Sequence, residues 1–386
     1  MAKSTSLAVE KVLAIEDLLS EILSRLPKRS LFRFKSVSKA WLSLISNPLF
    51  SLCPKLDPRF MSGLFLYPFD ESIINPNYNL KLGFIPLSND KVQDINNDDV
   101  TFIPTLSGII VLSSCHGLLL CNAYNEIECK KGFHVLNPTT KQFKTLPEPH
   151  LDGFFIKGIT LAFEPSRSPH YKVVIVWCST RLCNFRIEVY SSETGFWRAS
   201  GEPFTVNAHI MLFGNGVYWN GAVHWCCDWG DGLYFDVEKE LLQIMPLPPL
   251  PEEYSWYDRI VRRQMESCDH LHIVDIYNTS TQISVFELER DYSGWFEKYR
   301  VDLDIFRALS PEVLWLVDEG RLACEVLAVG RVESDEKSYL ILHIPQKIIC
   351  YNPVYKTFKD ISSEGIVNKL PYYGAYQYIE SYSSVW

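Results

Sequence analysis

One pattern recurs along this chain and restricts its fold more than any other feature. A short apolar strand ends at a polar residue, a tight turn follows, and a second strand opens near an aromatic or aliphatic side chain. Residues 133–143, 187–197, 233–242 and 349–358 repeat it, and residues 283–296 give a weaker copy. The turn anchors Asn137, Ser191, Asp236, Glu287 and Asn352 stand 54, 45, 51 and 65 residues apart. That interval is near the ~50-residue unit of a propeller blade with loop insertions. Five such units, with further strands near residues 63–67 and 80–87, predict six or seven blades. Radial stacking buries the sheets and leaves only short edges.

The intervening sequence agrees. Beyond about residue 60, short apolar or alternating runs lie between turn residues, as in residues 117–121, 173–177, 271–277 and 339–343. Residues 217–225 place Asn220-Gly221 between alternating aromatic and aliphatic residues, the strongest short hairpin pattern. The tail 372–378 holds four tyrosines. Its aromatic content predicts a last strand that closes the ring against residues 60–67.

The first fifty residues are different. Leu18, Ile22 and Leu26 recur every four residues, with Leu19 and Leu23 beside them. This is one wide apolar face of a helix from about Glu16 to Leu26, and Pro27 stops it. Ser30 suits the N-cap of a second short helix marked by Leu31, Phe34 and Val37. A third carries Trp41, Leu42, Leu44 and Ile45 and ends before Asn47-Pro48. About 35 residues cannot bury this many large apolar groups on themselves. The module therefore completes its core either on a partner or on the C-terminal domain of its own chain, and its periodicity does not choose between the two.

Charge divides the same way. Residues 1–50 hold eight basic and four acidic side chains, a net +4, so the chain's −9 leaves −13 on the remainder. An acidic body argues against nucleic acid as a partner, because phosphate binding needs basic patches. The chain is expected to be soluble and globular, with neither membrane span nor signal peptide. Eleven irregularly spaced cysteines then suggest reduced thiols in the cytoplasm, the nucleus or both.

These residues carry a resemblance. The stretch with Asp17-Leu18-Leu19, Glu21-Ile22-Leu23, Leu26-Pro27, Ser30-Leu31, Arg33-Phe34-Lys35, Val37-Ser38-Lys39, Trp41, Leu44-Ile45 and Pro48-Leu49-Phe50 resembles an F-box. The body resembles the plant F-box-associated domain, a kelch-like family. It does so through Ser114-Cys115-His116-Gly117, Leu136-Asn137-Pro138-Thr139, Trp197-Arg198, Asn220-Gly221-Ala222 and Tyr378-Ile379-Glu380-Ser381. One departure is Ala14-Ile15, where the F-box family usually has Leu-Pro or Ile-Pro. The chain also lacks Gly-Gly, which argues against a strict kelch repeat, and Trp-Asp, which argues against WD40.

The resemblance implies an α+β multidomain chain: a disordered N-terminus (1–12), a small three-helix F-box (13–52), a linker (53–60) and an all-β, kelch-like propeller (61–386). It implies a substrate-recognition subunit of an SCF-type ubiquitin ligase. The F-box would bind a Skp-type adaptor, and through it cullin and RING subunits, through Leu18, Ile22, Leu26, Pro27, Leu31, Phe34, Val37 and Trp41. Some of these hold the helices together and others touch the adaptor. Such a receptor holds a target protein and performs no chemistry itself. Two alternatives stand beside this reading: an adaptor-bound protein acting outside any ligase, and a propeller enzyme or lectin with an incidental F-box.

No phosphate loop, dinucleotide fingerprint, HExxH or GxSxG is present, and no cofactor is implied. Adjacent Cys115 and His116 should point to opposite faces of a strand, which argues against a nucleophile and base. Cys268, His270 and His272 alternate and share a face, but one strand without a second cluster is a poor metal site, and no metal is expected. Candidate target contacts are Tyr254, Trp256 and Tyr257 in the proline-rich segment 246–257, since Tyr and Trp concentrate binding energy. Packing between blades is the competing role for them.

Overall fold

In a computed structural model the described residues are 16–24, 30, 34, 36–46, 61–68, 82–87, 105–149, 153–179, 184–206, 211–228, 230–277, 280–307, 309, 324–332, 334–362 and 372–385. The head contributes helices α1 (Glu16–Ser24) and α2 (Lys39–Ser46). Ser38 caps α2, its Oγ accepting the Trp41 backbone N–H at 3.1 Å. The middle helix expected from Ser30 falls largely outside the described residues, as do the N-terminal segment 1–12 and the linker 53–60.

Among the described residues the body forms six antiparallel sheets. Strands β1 (Gly63–Pro68) and β2 (Gly83–Pro86) come first in the chain. Four-stranded sheets follow in sequence order. The first is β3 (Leu106–Cys115), β4 (Leu118–Asn125), β5 (Lys130–Asn137) and β6 (Gln142–Thr145). The second is β7 (Phe154–Ala162), β8 (Lys172–Ser179), β9 (Asn184–Ser191) and β10 (Trp197–Thr205). The third is β11 (Val217–Trp219), β12 (Ala222–Trp225), β13 (Gly232–Asp236) and β14 (Leu241–Met245). The fourth is β15 (Arg259–Ser267), β16 (His270–Tyr277), β17 (Gln282–Leu288) and β18 (Trp295–Asp302). The fifth is β19 (Glu325–Gly330), β20 (Tyr339–Ile344), β21 (Lys347–Asn352) and β22 (Thr357–Asp360). Last is β23 (Tyr372–Tyr378), which pairs with β1 to make the sixth sheet, β2-β1-β23.

One edge strand of each sheet touches the next in a closed cycle: β3 to β7, β11, β15, β19, β23 and back to β3. The fold is thus a six-bladed propeller, which decides between six and seven. Each of the six seams between neighbouring blades holds its own apolar cluster. Leu340, Leu342 and Ile349 face Met265, Val274 and Ile283 between the fourth and fifth blades. Val174, Val176 and Phe185 meet Val223, Trp225 and Phe235 between the second and third. Fully burying one such side chain stabilises by about 1.5–3 kcal/mol, so these seams dominate the cohesion of the ring.

The recurring turn joins the third and fourth strands of a blade. In three copies the anchor's side-chain oxygen accepts two backbone N–H groups just ahead of it. Asn137 takes Thr139 and Thr140, Asp236 takes Glu238 and Lys239, and Asn352 takes Val354 and Tyr355. This is how Asn and Asp favour turns. A residue with positive φ stands four positions on: Lys141, Gly195, Glu240, Tyr292 and Lys356. By that rule the fourth anchor is Leu288, one residue beyond the expected Glu287. Glu287 instead lies within β17, and its carboxylate is held by His270, His272 and Arg331.

Tryptophans at the start of two fourth strands tie blades together. Trp197 Nε1 donates to Pro147 O at 2.7 Å, and Trp295 Nε1 donates to Pro246 O at 2.6 Å.

The ring closes as the tyrosine-rich tail suggested. β1 and β23 pair in the register Gly63↔Tyr378, Phe65↔Tyr376 and Tyr67↔Gly374. The chain then runs on over the first two blades. Asn137 Nδ2 donates to Ser381 O and Ser383 O at 3.0 and 2.8 Å, and Tyr171 Oη donates to Val385 O at 3.1 Å. Val385 is fully buried between those blades. None of the nine described cysteines forms a disulfide, and no described helix is long and apolar enough to cross a membrane.

Candidate functional site

The head sorts its apolar side chains onto two sides. Leu19, Leu23 and Ile45 are buried, with Phe34, Trp41 and Leu44 packed on them. Phe34 and Trp41 meet edge to face at 5.3 Å. Leu18 and Ile22 are one helical turn apart on the other side of α1, exposed by 46% and 47%. Val37 and Leu42 are likewise exposed, by 57% and 46%. A sequence reading pools these positions because all are apolar at helical spacing. The structure separates an internal group (Phe34, Trp41) from an outward one (Leu18, Ile22, Val37). Leu42, an apolar position of the third helix that was not among the expected adaptor contacts, joins the outward group. Leu26, Pro27 and Leu31 lie outside the described residues.

The segment 246–258 of the body holds its candidate aromatics in different surroundings. A short 3-10 turn, Trp256–Asp258, is capped reciprocally: Ser255 N donates to Asp258 Oδ2 at 2.7 Å. Tyr257 stands 83% exposed. Tyr254 is half-buried instead, stacked on Tyr277 at 4.6 Å and 9°. Arg259 lies 5.7 Å from the same Tyr277 ring. Tyr254 therefore secures the loop to the fourth blade, and Tyr257 is presented outward. The side chain of Trp256 lies outside the described residues.

Beneath that loop sits an ion pair with no sequence signature. Asp275 is fully buried and accepts from Arg262 Nε and Nη2 at 2.8 and 2.5 Å. Register alone brings the two together, because Arg262 and Asp275 are direct partners on β15 and β16.

Two further expectations change. Cys115 Sγ and His116 Nδ1 are 3.5 Å apart, despite being neighbours in sequence. His116 has φ 44°, which ends the strand alternation and turns the ring back. The thiol is nonetheless poorly suited to nucleophilic attack. Burial pushes its pKa far above the ordinary value, and it donates to Phe163 O at 3.1 Å. His270 and His272 do share a face, as alternation requires, but Cys268 lies in the turn before them, between β15 and β16, with φ 49°. The two imidazoles converge on Glu287, at 3.0 and 3.3 Å. Among the described residues, no three His, Cys, Asp or Glu side chains converge in a way that could hold a metal.

Comparison with known proteins places both parts. Residues 16–52 match the F-box domain, and residues 78–361 match the F-box associated beta propeller domain. The chain is 34% identical to F-box protein At5g07610 of Arabidopsis thaliana, covering 96% of this chain and 92% of that one. It is 29% identical to F-box protein At3g28330 of the same plant over 54% and 52% of the two chains. It is 24% identical to the Arabidopsis F-box/kelch-repeat protein At3g17530 over 60% of each. With a paired head, a six-bladed body and a match over most of its length, the chain belongs to the F-box proteins that carry an F-box associated beta propeller domain.

Proposed function

We propose that this protein is the target-recognition subunit of an SCF-type ubiquitin ligase. The head docks on a Skp-type adaptor, which links to cullin and RING subunits, and the propeller holds a protein target. The observation that carries this reading is the outward apolar group Leu18, Ile22, Val37 and Leu42, set beside a separate internal core of Leu19, Leu23 and Ile45. Apolar surface left in water is a liability unless a partner covers it. The four basic residues Lys28, Arg29, Arg33 and Lys35 suit an acidic partner face and raise its encounter rate.

The receptor contributes proximity rather than chemistry. Holding a target near a charged conjugating enzyme raises the effective concentration of its lysines. The cytosol or nucleus is the compartment that fits eleven cysteines in this role.

The test uses the full chain and purified adaptor. Ile22→Asp and Leu18→Asp should each abolish adaptor capture while the propeller keeps its unfolding midpoint. Leu23→Ala should weaken capture by unfolding the head, with loss of helical signal. Normal capture by the Leu18→Asp, Ile22→Asp double variant would sink the assignment.

A further inference from the structure

The inner strands line a cavity of about 250 Å³ on the propeller axis. Its wall includes Ser114 and His116 at the end of β3, Tyr218 of β11, Gln264 and Glu266 of β15, and Gln377 of β23. Five blades reach it, counting Leu327 of β19. At ~30 Å³ per liquid water molecule, the space equals about eight waters, room for a single small ring with substituents.

Gln264 is the unusual member. It is only 5% exposed, and neither Nε2 nor Oε1 has a hydrogen-bond partner within the protein. A buried amide without partners is destabilising, so a native structure calls for something that completes it. The neighbouring groups are already engaged. Glu266 accepts the Asp269 N–H at 2.8 Å, and Gln377 Nε2 donates to the Glu266 carbonyl oxygen at 2.5 Å. Arg263 is ion-paired with Glu325. With the guanidinium so neutralised, and with burial raising the Glu266 carboxyl above its usual range and so disfavouring its charged form, the wall favours neither strong anions nor strong cations. The open capacity of Gln264 is its amide N–H donors and its carbonyl oxygen acceptor, side by side on a rigid inner strand.

We propose that the axial cavity is a binding site for a small neutral molecule that presents an adjacent donor and acceptor, such as an amide, lactam or imide edge. Gln264 is the group that reads that edge. The site is independent of the head and of adaptor docking, so it stands or falls apart from the target-recognition reading.

Saturation-transfer NMR on the full chain tests it, with uracil and nicotinamide as probes and 1,3-dimethyluracil as a probe lacking N–H donors. Uracil and nicotinamide should receive saturation and dimethyluracil should not. Gln264→Leu and the near-isosteric Gln264→Glu should each weaken the signal by about fivefold or more, as expected for loss of one hydrogen bond. If Gln264→Leu fails to fold, Gln264→Glu decides. No saturation of either probe would mean a channel holding only water. That result, equal signal from dimethyluracil, or unchanged signal in the folded variant would overturn the proposal.

Discussion

Phe65 and Tyr378 meet edge to face at 5.6 Å, although they stand near opposite ends of the β domain. Tyr378 also meets Phe84 at 5.6 Å, and its hydroxyl lies 3.2 Å from Thr139 Oγ1 of the first blade. One side chain thus joins the last strand, the first two strands and the neighbouring blade. Tyr378→Ala should destabilise the propeller by about 3–5 kcal/mol, the usual range for a large buried aromatic. Tyr378→Phe should cost only about 1 kcal/mol for the lost hydrogen bond. Denaturant unfolding followed by tryptophan fluorescence checks both. Equal effects would mean that the ring does not contribute to closure.

Gly117 has φ +85°, and a Cβ there would lie 2.3 Å from Ser381 Cβ and 2.6 Å from Ile379 O. The tail over the first blade therefore requires glycine at this position for two reasons. Gly195 has a similar φ of +84° with open space around it. Gly195→Ala should carry only the conformational cost of about 1–2 kcal/mol. Gly117→Ala should cost clearly more and should speed amide exchange in residues 379–385. Equal unfolding midpoints for the two variants would refute the close-approach argument.

The buried pair Arg262–Asp275 makes an asymmetric prediction. Asp275→Ala strands one guanidinium, with a second from Arg259 3.6 Å from the same carboxylate, and should destabilise by about 3–5 kcal/mol. Replacing both members, as in Arg262→Met with Asp275→Leu, should recover a large part of that loss. A thermal melt of the three proteins separates the cases. A double variant as unstable as Asp275→Ala would contradict it.

Buried histidines set the acid limit. Burial lowers His343 to about 4 and His224 to about 3, both below the ordinary 6.5. Below pH 6.5 the unfolded chain binds protons that the folded one does not, so stability falls as pH falls. The window runs from 6.5 down to about 4 for His343 and about 3 for His224, with a slope approaching ~1.4 kcal/mol per pH unit per histidine. Glu287, held low by its two histidines against the opposing effect of burial, adds a further loss below the ordinary carboxylate range. His343→Leu should flatten the upper part of this window. Urea titrations at pH 7, 6 and 5 with an unchanged slope in that variant would count against the assignment.

Much of this protein is local and therefore legible in its sequence. The head's first helix follows from four-residue apolar spacing, whereas the Ser38 cap of α2 came only from the structure. The hairpin at Asn220-Gly221 follows from two adjacent residues that both adopt positive φ. Side-chain oxygens at Asn137, Asp236 and Asn352 nucleate turns within three residues of themselves. Glu287 reads in sequence as the fourth anchor because its acidic side chain resembles that of Asp236, but its carboxylate is engaged by His270, His272 and Arg331.

What only the tertiary structure decided depends on contacts between distant segments. The sequence by itself determined a small helical head, a repeated β unit and a tyrosine-rich closing strand, because each is written in short-range periodicity. It left open six blades against seven, which is decided by the cycle of inner strands. It pooled Leu18, Ile22 and Val37 with Phe34 and Trp41, because apolar spacing marks a face without saying what covers it. The Arg262–Asp275 pair and the unpartnered Gln264 stayed invisible for the same reason. A strand's alternation fixes which side a residue takes, and only the packing of blades around an axis fixes what it meets there.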